Sequence, residues 1–138
     1  MIAATAAQPF RWPLRVYYED TDAAGVVYYA NYLRFIERAR TEWLGALGFS
    51  LTQLEREHQA VFVVHRLAID YRMPARLGDH LEATVIVEEK GRARLALKQQ
   101  VLKDAHVLVD ADVMLACVNP RTWLPTRIPA TVAASLEA

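Results

Sequence analysis

Two carboxylates and a glycine, Asp20, Asp22 and Gly25, lead directly into the tyrosine-rich segment Tyr28-Tyr29-Ala30-Asn31-Tyr32. A carboxylate can attack a carbonyl carbon or take a proton from water. The first four N–H groups of a helix have no partner within it and sit at the positive end of its dipole. A carboxylate beside such a helix start is equipped for carbonyl chemistry, and the amides of Tyr28 and Tyr29 are expected at that start. Gly25 permits a tight loop with positive φ and lets a substrate approach the backbone. A purely structural reading fits the same residues: Asp22 caps the helix or forms an Asx turn. Spacing alone leaves both readings open. For Asp20 the expectation is hydrogen bonding within the loop.

Other chemistries find less support. Cys117 is the only cysteine, so no internal disulfide forms. It falls in an alternating strand pattern that marks it as core. No serine sits in a nucleophile elbow. Asp20-x-Asp22-x-x-Gly25 imitates the opening of an EF-hand loop, but Ala24 stands at its fifth position, Asn31 rather than the bidentate Glu stands at its twelfth, and no helix precedes it. His58, His65, His80 and His106 show no ligand-pair spacing, and no metal is expected.

The elements that must position the loop follow from periodicity. Residues 10–18 read as a strand, with Leu14, Val16 and Tyr18 on one face. Tyr29, Tyr32, Leu33, Ile36, Ala39, Trp43, Leu44 and Leu47 recur at helical spacing, and Gly48 stops that helix. The width of the stripe predicts a helix largely covered by protein. Ser50 and Gln53 form a capping box for a short helix over Leu51 to His58. Strands follow: Val61 to Tyr71, then Leu81 to Glu89, then Leu95 to Val101 after a turn at Lys90-Gly91-Arg92. The last strand carries Val107, Val109, Ala111, Val113, Leu115 and Cys117 on one face. This order predicts an α+β fold with an antiparallel sheet, whose uncovered surface favours self-association.

At 138 residues the chain reads as one domain over 1–138, with residues 1–8 as a frayed end. Sixteen basic and sixteen acidic residues give no net charge, which argues against a general nucleic-acid binder. No apolar run approaches the roughly 20 residues of a membrane span. The start lacks the basic region of a secretory signal. The expectation is a soluble cytoplasmic protein.

Phe10-Arg11-Trp12-Pro13, the segment Asp20 to Tyr32 with its Asp-x-x-Gly-Val-Val-Tyr core, and Glu37-Arg38-Ala39-Arg40-Thr41-Glu42 carry a resemblance. The chain resembles the hot-dog-fold thioesterases over about Phe10 to Pro125. More narrowly it is similar to the acyl-CoA thioesterases associated with the Tol-Pal cell-envelope system, with the 4-hydroxybenzoyl-CoA thioesterases as close relatives. The resemblance implies a five- or six-stranded antiparallel sheet wrapped around one long central helix. It implies homodimers or homotetramers with active sites between subunits, and hydrolysis of an acyl-CoA thioester to free acid and CoA without a cofactor.

Carried over residue by residue, it makes Asp22 the nucleophile or general base and the Tyr29 backbone amide the oxyanion donor. Gly25, Tyr28, Tyr32, Val64 and His65 would line the substrate site. Lys90, Arg92 and Arg94 would meet the CoA nucleotide, and Phe35 and Phe62 would help set pocket depth. Many Tol-Pal-associated members carry a histidine at the position of Tyr29, and a phenol is no base near pH 7. Two further functions stay open. One is an aryl-CoA thioesterase of the 4-hydroxybenzoyl kind, with Glu37 meeting a phenol. The other is a module that binds an acyl carrier protein or an envelope complex and has weak activity. A hot-dog dehydratase fits less well, for want of a histidine on the helix.

Overall fold

The computed structural model describes residues 2–136. Five strands form one antiparallel sheet: β1 (Phe10–Arg15), β2 (Val61–Tyr71), β3 (His80–Lys90), β4 (Arg94–Lys103) and β5 (His106–Val118). Their order across the sheet is β1-β3-β4-β5-β2, so β1 and β2 are its two edges. Helix α1 (Asn31–Ala46) and helix α2 (Leu51–His58) join β1 to β2, and helix α3 (Ala130–Ser135) closes the chain.

The core is the sum of two periodicities. Tyr32, Phe35, Ile36, Ala39, Trp43 and Leu44 of α1 are buried in one cluster with alternate residues of the sheet. Those are Leu81, Ala83, Val85 and Val87 of β3, Leu95, Leu97 and Val101 of β4, and Val109 to Cys117 of β5 in steps of two. Only one side of α1 is covered. Arg34, Glu37, Arg38 and Thr41 face solvent, as do Leu33 and the ring of Tyr29. The expectation of a largely covered helix is corrected here, because charged residues occupy the far side.

The helix ends behave as their sequences direct. Gly48 takes φ +98°, its N–H bonds to the Gly45 carbonyl, and Phe49 N–H reaches back to Leu44, a Schellman close. Ser50 Oγ accepts from Gln53 N–H at 3.0 Å and so starts α2.

Three expectations change, and one helix was not expected. β1 ends at Arg15 because a single 3-10 turn, Tyr18–Asp20, follows; Tyr18 is 82% exposed rather than on the strand's inner face. Leu108, not Val107, is buried at the start of β5, since the pairing register shifts between Val101 and Leu102. Within the segment expected to fray, Ala4 is buried and its carbonyl accepts from Val87 N–H at 2.8 Å; Met1 lies outside the described residues. Helix α3 had no strong periodicity to announce it.

Candidate functional site

The Asp22 loop is a small hairpin. Thr21 bridges to Val27, Asp22 N–H donates to the Val26 carbonyl at 2.9 Å, and Gly25 N–H returns to the Asp22 carbonyl at 3.0 Å. Gly25 sits at φ +78°, where a side chain would strain the backbone. Asp22 Oδ1 accepts from Ala24 N–H at 2.9 Å, an Asx turn, while its second oxygen takes no bond from the described residues. The carboxylate is exposed on this protomer. The turn-forming and the chemical readings of Asp22 are therefore compatible: one oxygen shapes the loop and the other stays open.

Asp20 is the buried anchor. Its carboxylate accepts from Tyr17 N–H at 2.9 Å. Its carbonyl accepts from Tyr28 N–H and from Asn31 Nδ2, both at 2.9 Å. This fastens the hairpin's base to the first residue of α1. It also removes Tyr28 N–H from the set of open donors. The helix starts at Asn31, two residues later than the tyrosine periodicity predicts, because residues 28–30 are held by the loop. Tyr29 N–H has no acceptor among the described residues.

Behind the loop lies an aromatic wall. Tyr28 and Tyr29 meet at 4.9 Å between ring centres with their planes tilted by 52°, and Tyr32 and Tyr71 approach at 5.7 Å. Tyr32 is buried, and its hydroxyl accepts from Ala75 N–H at 2.9 Å. Burial pushes its phenol above the usual tyrosine value, against the opposing pull of the Ala75 amide. Burial and then the neighbouring Tyr29 do the same to Tyr71. Val27 N–H donates to the Ala75 carbonyl at 2.9 Å, so the loop and the segment after β2 are stitched together. Tyr29, Tyr32, Tyr71 and Met73 line a hollow of about 230 Å³ there.

Val64 and His65 lie apart from this hollow. His65 is the extra residue of a bulge in β2, between Val64 and Arg66, and is exposed. Val64, 50% exposed, lines a small, partly open cavity of about 80 Å³ with Phe62, Trp43, Leu115, Glu37 and Arg40. That cavity shares no lining residue with the aromatic hollow. A larger concavity, about 780 Å³, lies between α2, the start of β2 and the segment after β5 and includes no residue of the Asp22 loop.

The three basic residues near the β3–β4 turn separate. Lys90 Nζ donates to the Ala133 and Leu136 carbonyls at 2.9 and 3.1 Å, closing the end of α3. Arg92 and Arg94 line an open concavity of about 440 Å³ with Glu89, Ala96 and Met114. Among the described residues no three His, Cys, Asp or Glu side chains are grouped to hold a metal ion, and no helix is long and apolar enough to cross a membrane. Cys117 is buried, and burial raises its thiol to about 11.

Sequence reasoning did not single out Tyr71. It ends a regular strand, and nothing local marks its hydroxyl. Asn31 was visible within the tyrosine segment, but its bond to Asp20 spans the loop and shows only in three dimensions.

The model of the thioesterase-like superfamily matches residues 16–136. The acyl-CoA thioesterase YbgC of Haemophilus influenzae is 45% identical over 128 residues, 93% of this chain and 94% of its own. The acyl-CoA thioester hydrolase YbgC of Escherichia coli is 42% identical over 129 residues, 93% of this chain and 96% of its own. The crystal structure of a probable thioesterase from Bartonella henselae superposes with a TM-score of 0.84 at 35% identity, covering 88% of this chain and 99% of that one.

Proposed function

The chain belongs to the thioesterase-like superfamily, and from that premise we propose that it is an acyl-CoA thioesterase, converting an acyl-CoA and water to a free acid and CoA. Asp22 supplies the carboxylate, either attacking the thioester carbonyl carbon or deprotonating the water that does. As the carbonyl becomes tetrahedral, its oxygen gains negative charge, and Tyr29 N–H donates to it. Collapse expels the thiolate of CoA, which takes up a proton; where water attacked, the acid is then free, and where Asp22 attacked, water next cleaves the acyl–Asp22 anhydride to release the acid and restore the carboxylate. One observation carries this reading: among the described residues nothing accepts from Tyr29 N–H at the start of α1, next to the base of the Asp22 hairpin. A donor of this kind contributes on the order of 3 kcal/mol to the transition state.

The reading includes a second copy of the chain. Asp22 is open on the protomer, and β2 is an unpaired edge with Val64, Leu67, Tyr71 and Met73 exposed along or just beyond it. A homodimer, or a homotetramer built from two, would bring Val64 and His65 of one subunit to the loop of another and enclose Gly25, Tyr28 and Tyr32 with the substrate. Arg92 and Arg94 are the proposed contacts for the CoA phosphates, with Lys90 subordinate because its ammonium serves α3. Cytoplasmic residence, acyl carrier protein as a second thioester donor and a tie to the Tol-Pal system complete the reading. The first rests on the sequence, which has no basic signal region and no long apolar run, and the other two on the resemblance of the motif.

Glu37 in the lining of the cavity beside Phe62 and Val64 favours a second reading, an aryl-CoA substrate whose phenol meets that carboxylate. Kinetics over short-chain, long-chain and aromatic acyl-CoAs, with Asp22→Asn as control, decide between them. The expected result is turnover of at least one class and its loss in a folded Asp22→Asn protein. Full activity in that variant would remove Asp22 from the mechanism.

A further inference from the structure

The start of α1 is wound more tightly than an α-helix. Asn31 N–H bonds to the Tyr28 carbonyl at 2.8 Å and Leu33 N–H to the Ala30 carbonyl at 3.1 Å, both spanning three residues. In regular α-helical winding Leu33 would serve the Tyr29 carbonyl instead. That carbonyl is left over, and the hydroxyl of Tyr71 donates to it at 3.0 Å.

The consequence follows from the planar trans peptide, in which C=O and N–H point to opposite sides. Holding the Tyr28 carbonyl aims Tyr29 N–H; holding the Tyr29 carbonyl aims Ala30 N–H. Neither N–H has an acceptor among the described residues. We propose that Tyr71 is a positioning residue for thioester hydrolysis, its hydroxyl fixing the Tyr29–Ala30 peptide so that two successive N–H groups, not one, face the reacting carbonyl oxygen.

The support is rigid on both sides. Tyr71 closes β2 and pairs with Val109, a fully buried strand residue, so the phenol projects from sheet rather than loop. Its ring meets Tyr29 edge-on at 6.2 Å and Tyr32 at 5.7 Å. The inference rests on the thioesterase reading and adds to it a residue from the edge strand and a second donor.

The test is Tyr71→Phe in the full chain, which keeps the ring and deletes only the hydroxyl, assayed beside Asp22→Asn on the best acyl-CoA of the screen. Loss of orientation at a reacting centre predicts a fall in kcat of roughly tenfold to a hundredfold. KM should stay within about twofold and the melting temperature unchanged, while the amide shifts of Tyr29 and Ala30 move. Wild-type kcat in Tyr71→Phe, with Asp22→Asn inactive, overturns the proposal and leaves the thioesterase reading standing. A fall in kcat matched by a rise in KM and a lower melting temperature shows packing alone and overturns it too. Absence of turnover of every acyl-CoA by the wild-type chain defeats both.

Discussion

The side-chain amide of Gln99, wholly buried in β4, donates to the carbonyl of Ile36 in α1 at 2.9 Å. The same nitrogen reaches the Thr84 carbonyl at 3.3 Å, and the amide oxygen accepts from Arg40 at 3.0 Å. One side chain thus pins the helix to two strands and satisfies a guanidinium whose pKa burial lowers. The helix that presents Tyr29 is located by this bond as well as by apolar packing.

Gln99→Leu keeps the volume and strips the arginine of its partner. It should cost about 2–3 kcal/mol, since the stranded group carries the desolvation penalty. Urea unfolding reads it directly. Adding Arg40→Met should restore part of the loss, because it removes the stranded guanidinium while the Ile36 and Thr84 carbonyls still lack the Gln99 donor.

Gly25→Ala isolates backbone strain, since nothing lies within 4 Å of the added carbon. The left-handed conformation should cost about 1 kcal/mol and depress kcat. Gly25→Pro should be worse, because it also deletes the N–H that bonds to the Asp22 carbonyl. Kinetics and thermal melting of the two variants separate these effects.

Asp79 governs an acid limb of stability. Burial by itself would raise its carboxyl, but the Arg76 N–H, then the bond and charge of Lys103, outweigh that and hold it below the ordinary value. A lowered native value means stability that is present above the unfolded carboxylate pKa, about 3.9, and is lost as pH falls through the native one. Melting temperature should drop below about pH 4, and Asp79→Asn should flatten that drop.

Cys117 shows the opposite sign. Its thiol, raised to about 11 by burial, holds its proton more tightly folded than unfolded. The associated stability is complete below the unfolded value near 8.5 and declines from there up to about pH 11. Native protein should resist thiol reagents at pH 8 and react fully in denaturant; rapid native labelling contradicts the burial.

If Arg94 meets a CoA phosphate as proposed, Arg94→Ala should raise KM for acyl-CoA and weaken its salt dependence. Lys90→Met should leave KM nearly intact and lower the melting temperature, because its ammonium closes the carbonyl end of α3.

Periodicity carried most of the fold. The inward residues of β3 and β4, the Gly48 stop and the Ser50 start of α2 follow from local rules, and each stands where those rules put it. What escaped depended on distant partners. The displacement of the α1 start to Asn31 comes from the Asp20 carbonyl, which takes both Tyr28 N–H and the Asn31 amide. The role given to Tyr71 arises because Leu33 bonds to Ala30 and frees the Tyr29 carbonyl. The Val107 error came from a bulge, which shifts pairing without any mark in composition. For the site, Asp22 and Gly25 could be picked out from one short segment, whereas the separation of Lys90 from Arg92 and Arg94 required knowing where α3 ends.

The two borders of the sheet are unlike. β2 runs for eleven residues without proline, whereas β1 is six residues long and contains Pro13. Strand addition along β2, in the dimer proposed above, would consume that border in both molecules and leave only the short, proline-bearing ones outermost. Growth by this route would stop at two chains, with no repeating lateral template from which a filament could extend.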